Sequence, residues 1–416
     1  MSEIALAIAI LVPLLGVSIR FLNFRHLRAN RDAVPEGFEA MVDAGTLAKM
    51  SDYASQTGRL AIWQDIATQG FVVAALFGGL IGTWDLWIAR VTFGPIGRGI
   101  LYFFLMSLGL SILSLPFDIY RDFVVEQKHG FNRSTKLLFL MDFIKSQALS
   151  GFFIAIVAAV ALWLIEWSNQ HWWFWVWLFL VGFQIFVALI APNWIEPLFT
   201  KVKPLEDENL GAGIRAMAAR AQVRVDRIFQ VDASRRSSHT NAYFSGFGPV
   251  KRVVLYDTLL EKLEPSEILG VLAHELGHWR LRHVVKSLVI FQVVSLLACA
   301  GAHWLVNWDG LEALFGLGHV SLFTRLTLTL YLGSLVSAAL TPAFSTFSRR
   351  NEWQADAFAC KLAEPGALAS GLVKLARDNL SNLHPHPIYV AIFASHPPTV
   401  ARVRKLRSMS RGAPAT

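Results

Sequence analysis

The sequence HELGH, residues 274–278, places two histidines and a glutamate inside a segment that predicts a helix from Pro265. Positions i and i+4 of a helix face the same way, so His274 and His278 can bind one zinc ion while Glu275 reaches the water on it. Zinc lowers the pKa of that water toward about 7, and a neighbouring carboxylate can take its proton as it attacks a peptide carbonyl. The spacing predicts a hydrolytic site with one Zn²⁺ per chain. The alternative is a helix whose two histidines are satisfied by neighbouring side chains.

A catalytic zinc site needs a third protein ligand and an open position. In the segment RRNEWQAD, residues 349–356, Glu352 and Asp356 are one helical turn apart. Glu352 is therefore the candidate third ligand, and Asp356 can accept the other N–H of a ligand histidine and fix its tautomer. The alternative is a solvated acidic face opposite Arg349 and Arg350, but the HELGH helix favours the ligand interpretation.

Three more polar residues are candidates for holding a peptide. The segment Ser238–Tyr243 opens a short predicted strand upstream of the HELGH helix. An extended peptide could add to this strand as a further strand, and Asn241 could bind the peptide backbone. An asparagine turn before a strand is the alternative for Asn241. His396 and Arg402 are candidate donors to the oxyanion or the substrate, and we expect His396 to be catalytic in this way. Each would otherwise be a surface or capping residue.

The composition excludes an ordinary soluble enzyme. Of the 416 residues, 54% are hydrophobic and 16% are charged, whereas a soluble domain has about 25% charged residues. Mean hydropathy is +0.45, so we expect an integral membrane protein in contact with membrane lipid. The net charge of +8 lies mainly in the connecting segments and forms no basic run interleaved with aromatics, which argues against a nucleic-acid partner. Cys299 and Cys360 are too few for a disulfide framework.

Seven apolar stretches are each near the roughly 20 residues that a membrane helix needs. They lie at about 4–22, 67–89, 99–116, 149–167, 172–192, 285–307 and 322–344. We expect the first to be a retained span, because no basic segment precedes it and no small-residue cleavage site follows. Lysine and arginine accumulate in alternate loops, which predicts an outside N-terminus and a cytoplasmic C-terminus.

The pattern divides the chain into four regions. These are a five-span membrane region (1–192), a cytoplasmic α+β lobe with the HELGH helix (193–283), two further spans (284–344) and a cytoplasmic C-terminal region with the third ligand (345–416). Within the lobe we expect a polar helix at about 207–221 and strands at Val223–Val231, Asn241–Phe244 and Arg252–Tyr256. The prediction is thus a predominantly α membrane protein with a small zincin-like α+β lobe.

Several segments taken in order resemble the integral-membrane CAAX prenyl proteases (type I), zinc endopeptidases that remove the last three residues of prenylated CaaX proteins. The resemblance covers nearly the whole chain to about Arg407 and rests on EQKHGFNRST (126–135), NWIEPLFTKVKPL (193–205), RRSSHTNAYFSGFG (235–248), KRVVLYDTLL (251–260), HELGH (274–278), SRRNEWQAD (348–356), HPHP (384–387) and SHPPTVAR (395–402). It implies seven long helices enclosing a water-filled chamber. It also implies site roles for this chain, as zinc ligands for His274, His278 and Glu352, as base for Glu275, as supporting carboxylate for Asp356 and as substrate or intermediate contacts for Asn241, His396 and Arg402.

Two alternatives to a CAAX protease stay open. One is a broad-specificity membrane-protein quality-control zinc protease, and the other is a channel, transporter or scaffold in which these side chains bind metal structurally or relay protons. The expected partner is a peptide or protein substrate, with its prenylation and the oligomeric state left open. The tail shows no lysine-based retrieval signal, so we expect a bacterial inner membrane, with the endoplasmic reticulum as the alternative. Bacteria generally lack CaaX prenylation, so a bacterial substrate need not carry the lipid.

Overall fold

The computed structural model describes residues 2–245 and 250–411, and within them it is mainly helical. The end of the RRSSHTNAYFSGFG segment and the last five residues lie outside this description. The helices are α1 (Ser2–Ala29), α2 (Ala44–Phe77), α3 (Leu80–Ala89), α4 (Pro95–Tyr120), α5 (Gln127–His129), α6 (Lys136–Trp167), α7 (Trp172–Ile190), α8 (Glu196–Phe199), α9 (Glu208–Arg220), α10 (Asp257–Lys262), α11 (Pro265–Arg280), α12 (His283–Val306), α13 (Leu311–Leu314), α14 (Leu322–Ala359), α15 (Pro365–Asp378), α16 (Pro387–Phe393) and α17 (Thr399–Arg411). Short π-helical turns, Arg121–Glu126 and Ala191–Ile195, join α4 to α5 and α7 to α8.

Seven helical segments in the described residues are long and apolar enough to cross a membrane, which confirms the predicted number. They are Ser2–Ala29, Ala44–Phe77, Pro95–His129, Lys136–Trp167, Trp172–Phe199, His283–Val306 and Leu322–Ala359. At most 17% of the residues in their most apolar windows are buried inside the protein. Large side chains such as Leu330 and Trp63 are exposed. These surfaces must therefore contact lipid, because exposing so large an apolar area to water is energetically unfavourable.

Several helices extend beyond the predicted spans, and the differences at two of them affect the fold most. The stretch 67–89 is not one helix, because α2 ends before Gly78 and Gly79, and Gly79 has a left-handed backbone with φ 80° that starts α3. The second span instead begins at Ala44, in a polar part of the sequence. The seventh span continues past residue 344 as one helix to Ala359, so the predicted third metal ligand lies on an extension of a membrane helix.

A four-stranded sheet forms the β part of the lobe. Its strands are β1 (Val202–Pro204), β2 (Arg224–Val231), β3 (Ala242–Ser245) and β4 (Val250–Tyr256), in the order β1-β2-β4-β3. Strand β4 pairs in parallel with β2 and antiparallel with β3, and β1 pairs antiparallel with β2. The three predicted strands and the polar helix α9 are confirmed. The three residues of β1 were not predicted, because so short a strand has no detectable alternation.

One hydrophobic core fixes the metal helix in the lobe. Leu272 and Leu276 of α11 are fully buried against residues from the sheet, from α15 and from α17, including Val253, Val373 and Val403. Burial of each such side chain contributes about 1.5–3 kcal/mol to stability. The same core includes residues near the start of α2, so the membrane region and the lobe are packed together.

Candidate metal centre

The helix that carries HELGH is anchored at its N-terminus by polar contacts. Glu264 and Glu267 form a capping box, and Pro265 occupies the first turn. The buried Glu267 carboxylate also accepts hydrogen bonds from Ser370 at 2.6 Å and from Lys374 at 2.7 Å, both on α15. Burial raises the pKa of Glu267, but these bonds outweigh it and lower the pKa below its usual value. The helix start is therefore held by an ionised carboxylate that joins α11 of the lobe to α15 of the C-terminal region.

Three side chains converge on one point, as the sequence predicted. Nε2 of His274 and Nε2 of His278 are 3.2 Å apart, and both face the Glu352 carboxylate, at 3.4 Å and 3.2 Å. Ligand atoms placed 2.0–2.1 Å from a zinc ion at tetrahedral angles are about 3.3 Å from one another. In addition, Oε2 of Glu352 is buried and, among the described residues, has close imidazole nitrogens but no hydrogen bond of normal geometry. The donor set and its spacing therefore fit a tetrahedral cation site with one position left for water or substrate.

A glycine inside the motif allows the two ligand-bearing helices to touch. A Cβ atom at Gly277 would lie 3.0 Å from the Cα of Ala355 and 3.1 Å from its carbonyl oxygen. Ala355 is itself fully buried. Two small residues therefore let α11 approach α14 closely enough for Glu352 to reach both histidines.

Asp356 fixes one of the ligand histidines. Its Oδ1 lies 2.8 Å from Nδ1 of His274, so an Nδ1–H donated to the carboxylate leaves Nε2 free for a metal. Arg402 holds the same carboxylate with two bonds, from Nε at 2.9 Å and from Nη2 at 2.7 Å. Burial lowers the pKa of His274, but hydrogen bonds to Asp356 and Glu352 outweigh it and raise the pKa. A proton and a metal cation thus compete for Nε2 of His274.

The remaining predicted residues differ in their distance from the metal group, which is formed by the side chains of His274, His278 and Glu352. His396 joins it, with Nδ1 2.8 Å from Oε2 of Glu352, and 64% of its side chain is exposed. Glu275 follows His274 on the helix and is half-buried, and its side chain forms no hydrogen bond to any described residue. Asn241 is exposed at the start of β3, where its Oδ1 accepts from the backbone N–H of Ala242. No hydrogen bond in the described part of the chain joins Asn241 to the metal group.

Two contacts near the site were missed by the sequence analysis. Arg349 donates to the carbonyls of Val390, Ala391 and Ala394 at 2.7, 3.1 and 2.8 Å, and so caps the C-terminus of α16 just before His396. The alternative of a solvated acidic face opposite Arg349 and Arg350 is not observed, because Glu352 and Asp356 are buried. The other contact is made by His283, the third histidine of the sequence HELGHWRLRH, whose ring lies against His278. Its spacing of five residues from His278 fits no helical face, so the pattern gave no signal beyond the residue type.

Comparisons with known proteins cover both the membrane region and the metal-binding region of the chain. A family model described as the CAAX prenyl protease N-terminal region with five membrane helices matches residues 23–201, and the model of peptidase family M48 matches residues 204–410. The human CAAX prenyl protease 1 homolog is 31% identical over 429 residues, covering 91% of this chain and 89% of that protein. Saccharomyces cerevisiae CAAX prenyl protease 1 is 29% identical, covering 94% and 92%.

A solved structure gives the same result for the fold. The crystal structure of S. mikatae Ste24p superposes with a TM-score of 0.89 at 28% identity, covering 97% of this chain and 98% of that one. The agreement includes both the membrane helices and the lobe, and the chain is a membrane-embedded metallopeptidase. The chain belongs to the CAAX prenyl protease family.

Proposed function

We propose that the protein is a zinc endopeptidase that hydrolyses peptide bonds near the C-terminus of CaaX-type substrates. The observation that carries the proposal is the convergence of His274, His278 and Glu352 at tetrahedral spacing, with Glu275 on the same helix. The names of the relatives support the substrate class. The donor set supports zinc. Two imidazoles and one carboxylate are a ligand set of catalytic zinc ions, whose fourth coordination position is left open for water or substrate.

Each residue then has a defined task. A zinc ion held by the three ligands would activate a water molecule and polarise the scissile carbonyl. Glu275 takes a proton from the water and passes it to the leaving amine. Its carboxylate suits this task because it is half-buried and hydrogen-bonds to no described residue. His396 donates to the developing oxyanion, since its exposed ring lies beside Glu352. Asp356, held by Arg402, keeps His274 in the ligating tautomer.

The sheet supports the assignment of Asn241 to substrate binding. Strand β3 lies at the edge of the sheet and pairs only with β4 among the described strands. An extended peptide can add to such an edge through main-chain hydrogen bonds. Asn241 opens this strand with its side chain exposed, so its amide can reach the backbone of a peptide bound there.

The orientation follows from charge. Most lysines and arginines lie at the facing ends of α1 and α2 (residues 20–59), at 121–145, in the lobe and in the C-terminal region, which supports a cytoplasmic lobe and C-terminus with an outside N-terminus. In this orientation the metal group faces substrates on the cytoplasmic side. We include the orientation in the proposal.

The test compares two matched peptides, one farnesylated at a CaaX cysteine and one without the lipid, with products mapped by mass spectrometry. We expect the purified protein to remove the last three residues of the farnesylated peptide, and Glu275→Gln to abolish cleavage while zinc stays bound, since Glu275 is not a ligand. Persistent cleavage by Glu275→Gln would refute the mechanism. Comparable cleavage of both peptides at many bonds would instead indicate a broad-specificity quality-control protease.

A further inference from the structure

His283 is a buried histidine that contacts a metal ligand without being one. It is 2% exposed, and its Nδ1 lies 3.2 Å from Nδ1 of His278. Its other nitrogen, Nε2, lies 3.0 Å from Oε1 of Gln354 on α14. The ring therefore stands between the non-ligating nitrogen of His278 and a side chain two residues after Glu352. The mechanism proposed above gives it no task.

A break in the helix brings His283 into this place. Arg282 has a left-handed backbone, with φ 58° and ψ 32°, and separates α11 from α12. Non-glycine residues rarely adopt this conformation, and such residues concentrate at functional sites. If α11 had continued, the fifth residue after His278 would have lain on a different face. The turn instead returns the first residue of α12 to the metal-binding histidine.

The hydrogen-bond partners determine where the protons lie. The carbonyl oxygen of Gln354 is an acceptor, so Nε2 of His283 carries the hydrogen and its Nδ1 is left as an acceptor. Nδ1 of His278 must then carry the hydrogen that it donates to His283. The remaining nitrogen of His278, Nε2, is therefore without a hydrogen and faces His274 and Glu352. This is the tautomer that can bind a cation.

We propose that His283 and Gln354 form a hydrogen-bond relay that holds His278 in its metal-binding tautomer and so sets the affinity for zinc. They are positioning residues, and they serve His278 as Asp356 serves His274. The inference rests on the proposed zinc site. It extends the site to His283 on α12 and Gln354 on α14, and it explains the left-handed backbone of Arg282, which places His283 beside His278.

The experiment measures the zinc dissociation constant of the full-length protein in detergent, after metal removal, by competition with a chromophoric chelator. Loss of such a supporting partner lowers metal affinity about 10- to 100-fold. We expect that loss for His283→Phe, which keeps a ring of similar size, and a loss of about tenfold for Gln354→Met. Gln354→Glu, which can only accept, should retain the wild-type affinity or exceed it. The control is Arg350→Met, one turn earlier and exposed, which should bind zinc as the wild type does.

Three results would overturn the relay. One is wild-type zinc affinity in both His283→Phe and Gln354→Met. Another is a loss of zinc affinity in His283→Phe alone, together with a lower melting temperature of its metal-free form, because the histidine would then only fill space in the fold. The third is a loss in Gln354→Glu equal to that in Gln354→Met. Failure of the wild-type protein itself to bind zinc would refute the proposed metal site instead, and that outcome is distinct from all three.

Discussion

Gly277 lies where α11 and α14 touch, so its replacement by alanine tests whether helix contact sets the metal geometry. A new Cβ atom would lie 3.0 Å from the Cα of Ala355, whereas ordinary contacts are at 3.4–4 Å. The two helices must therefore separate by several tenths of an ångström. Separation moves Glu352 away from His274 and His278, whose ligand atoms lie only 3.2–3.4 Å from its oxygens.

The size of the effect follows from the cost of overpacking. Forcing a methyl group into a packed contact costs about 1–3 kcal/mol. The metal-free protein can relax by moving the helices apart, but zinc binding must pull Glu352 back toward the histidines of α11. The strain therefore appears in the zinc-bound state. A strain energy of about 1–3 kcal/mol in that state corresponds to a 5- to 150-fold weaker zinc affinity. We expect Gly277→Ala to bind zinc more weakly by that factor.

The assay is the same chelator competition, combined with thermal unfolding of the metal-free protein. Gly213→Ala on α9 is the matched control, because its Cβ would meet only Leu269 at an ordinary 3.6 Å. Alanine is favoured over glycine within a helix by about 0.5–1 kcal/mol, so the control should be slightly stabilised and bind zinc normally. Equal zinc affinity in Gly277→Ala and Gly213→Ala would refute the argument.

Two further predictions concern residues around the site. The lowered pKa of Glu267 means that its carboxylate stabilises the fold above pH 4.5, the usual value, and that this is lost as the pH falls through the lower folded pKa. Glu267→Gln should lower the free energy of unfolding by about 1.5–3 kcal/mol at pH 7 and by less below pH 4.5; a pH-independent difference would contradict this. Arg349→Met should free the end of α16 and misplace His396, lowering kcat about 10- to 100-fold with zinc retained. Arg350→Met serves as its control, and an additive loss in the Arg349→Met, His396→Ala double variant would show that Arg349 does not act through His396.

Local helical spacing explains why much of the site could be predicted. His274 and His278 share a face because they are four residues apart, and the same spacing relates Glu352 to Asp356. These relations do not depend on the rest of the fold. The position of His283 depends on a left-handed residue between two helices, which no hydrophobic pattern records. The hydrogen bonds of Arg349 join segments about 40 residues apart, so they follow only from the packed structure.

Hydropathy also identified the spans better than their ends. The first part of α2 contains charged residues such as Lys49, Asp52 and Arg59, so a search for apolar stretches places the start of this helix too late. The helix forms there because its backbone hydrogen bonds are local, and polar side chains are compatible with a helix in water or at the interface. Gly78 and Gly79 end it inside a continuous apolar stretch, where hydropathy gives no signal.

The length of α14 sets the depth of the metal site relative to the membrane. Glu352 lies 30 residues beyond Leu322, the start of the helix, which corresponds to about 45 Å along its axis at 1.5 Å per residue. The hydrocarbon layer is about 30 Å thick, and membrane helices tilt by about 20°, up to 40°. If α14 starts at the opposite interface, Glu352 lies about 5–15 Å beyond the hydrocarbon, among the headgroups. A peptide bond next to a lipid-bearing cysteine occupies that same layer, because the lipid stays in the hydrocarbon while the polar backbone cannot follow it. The depth therefore favours a substrate held by its lipid, and it argues against a metal or proton pathway at the membrane midplane.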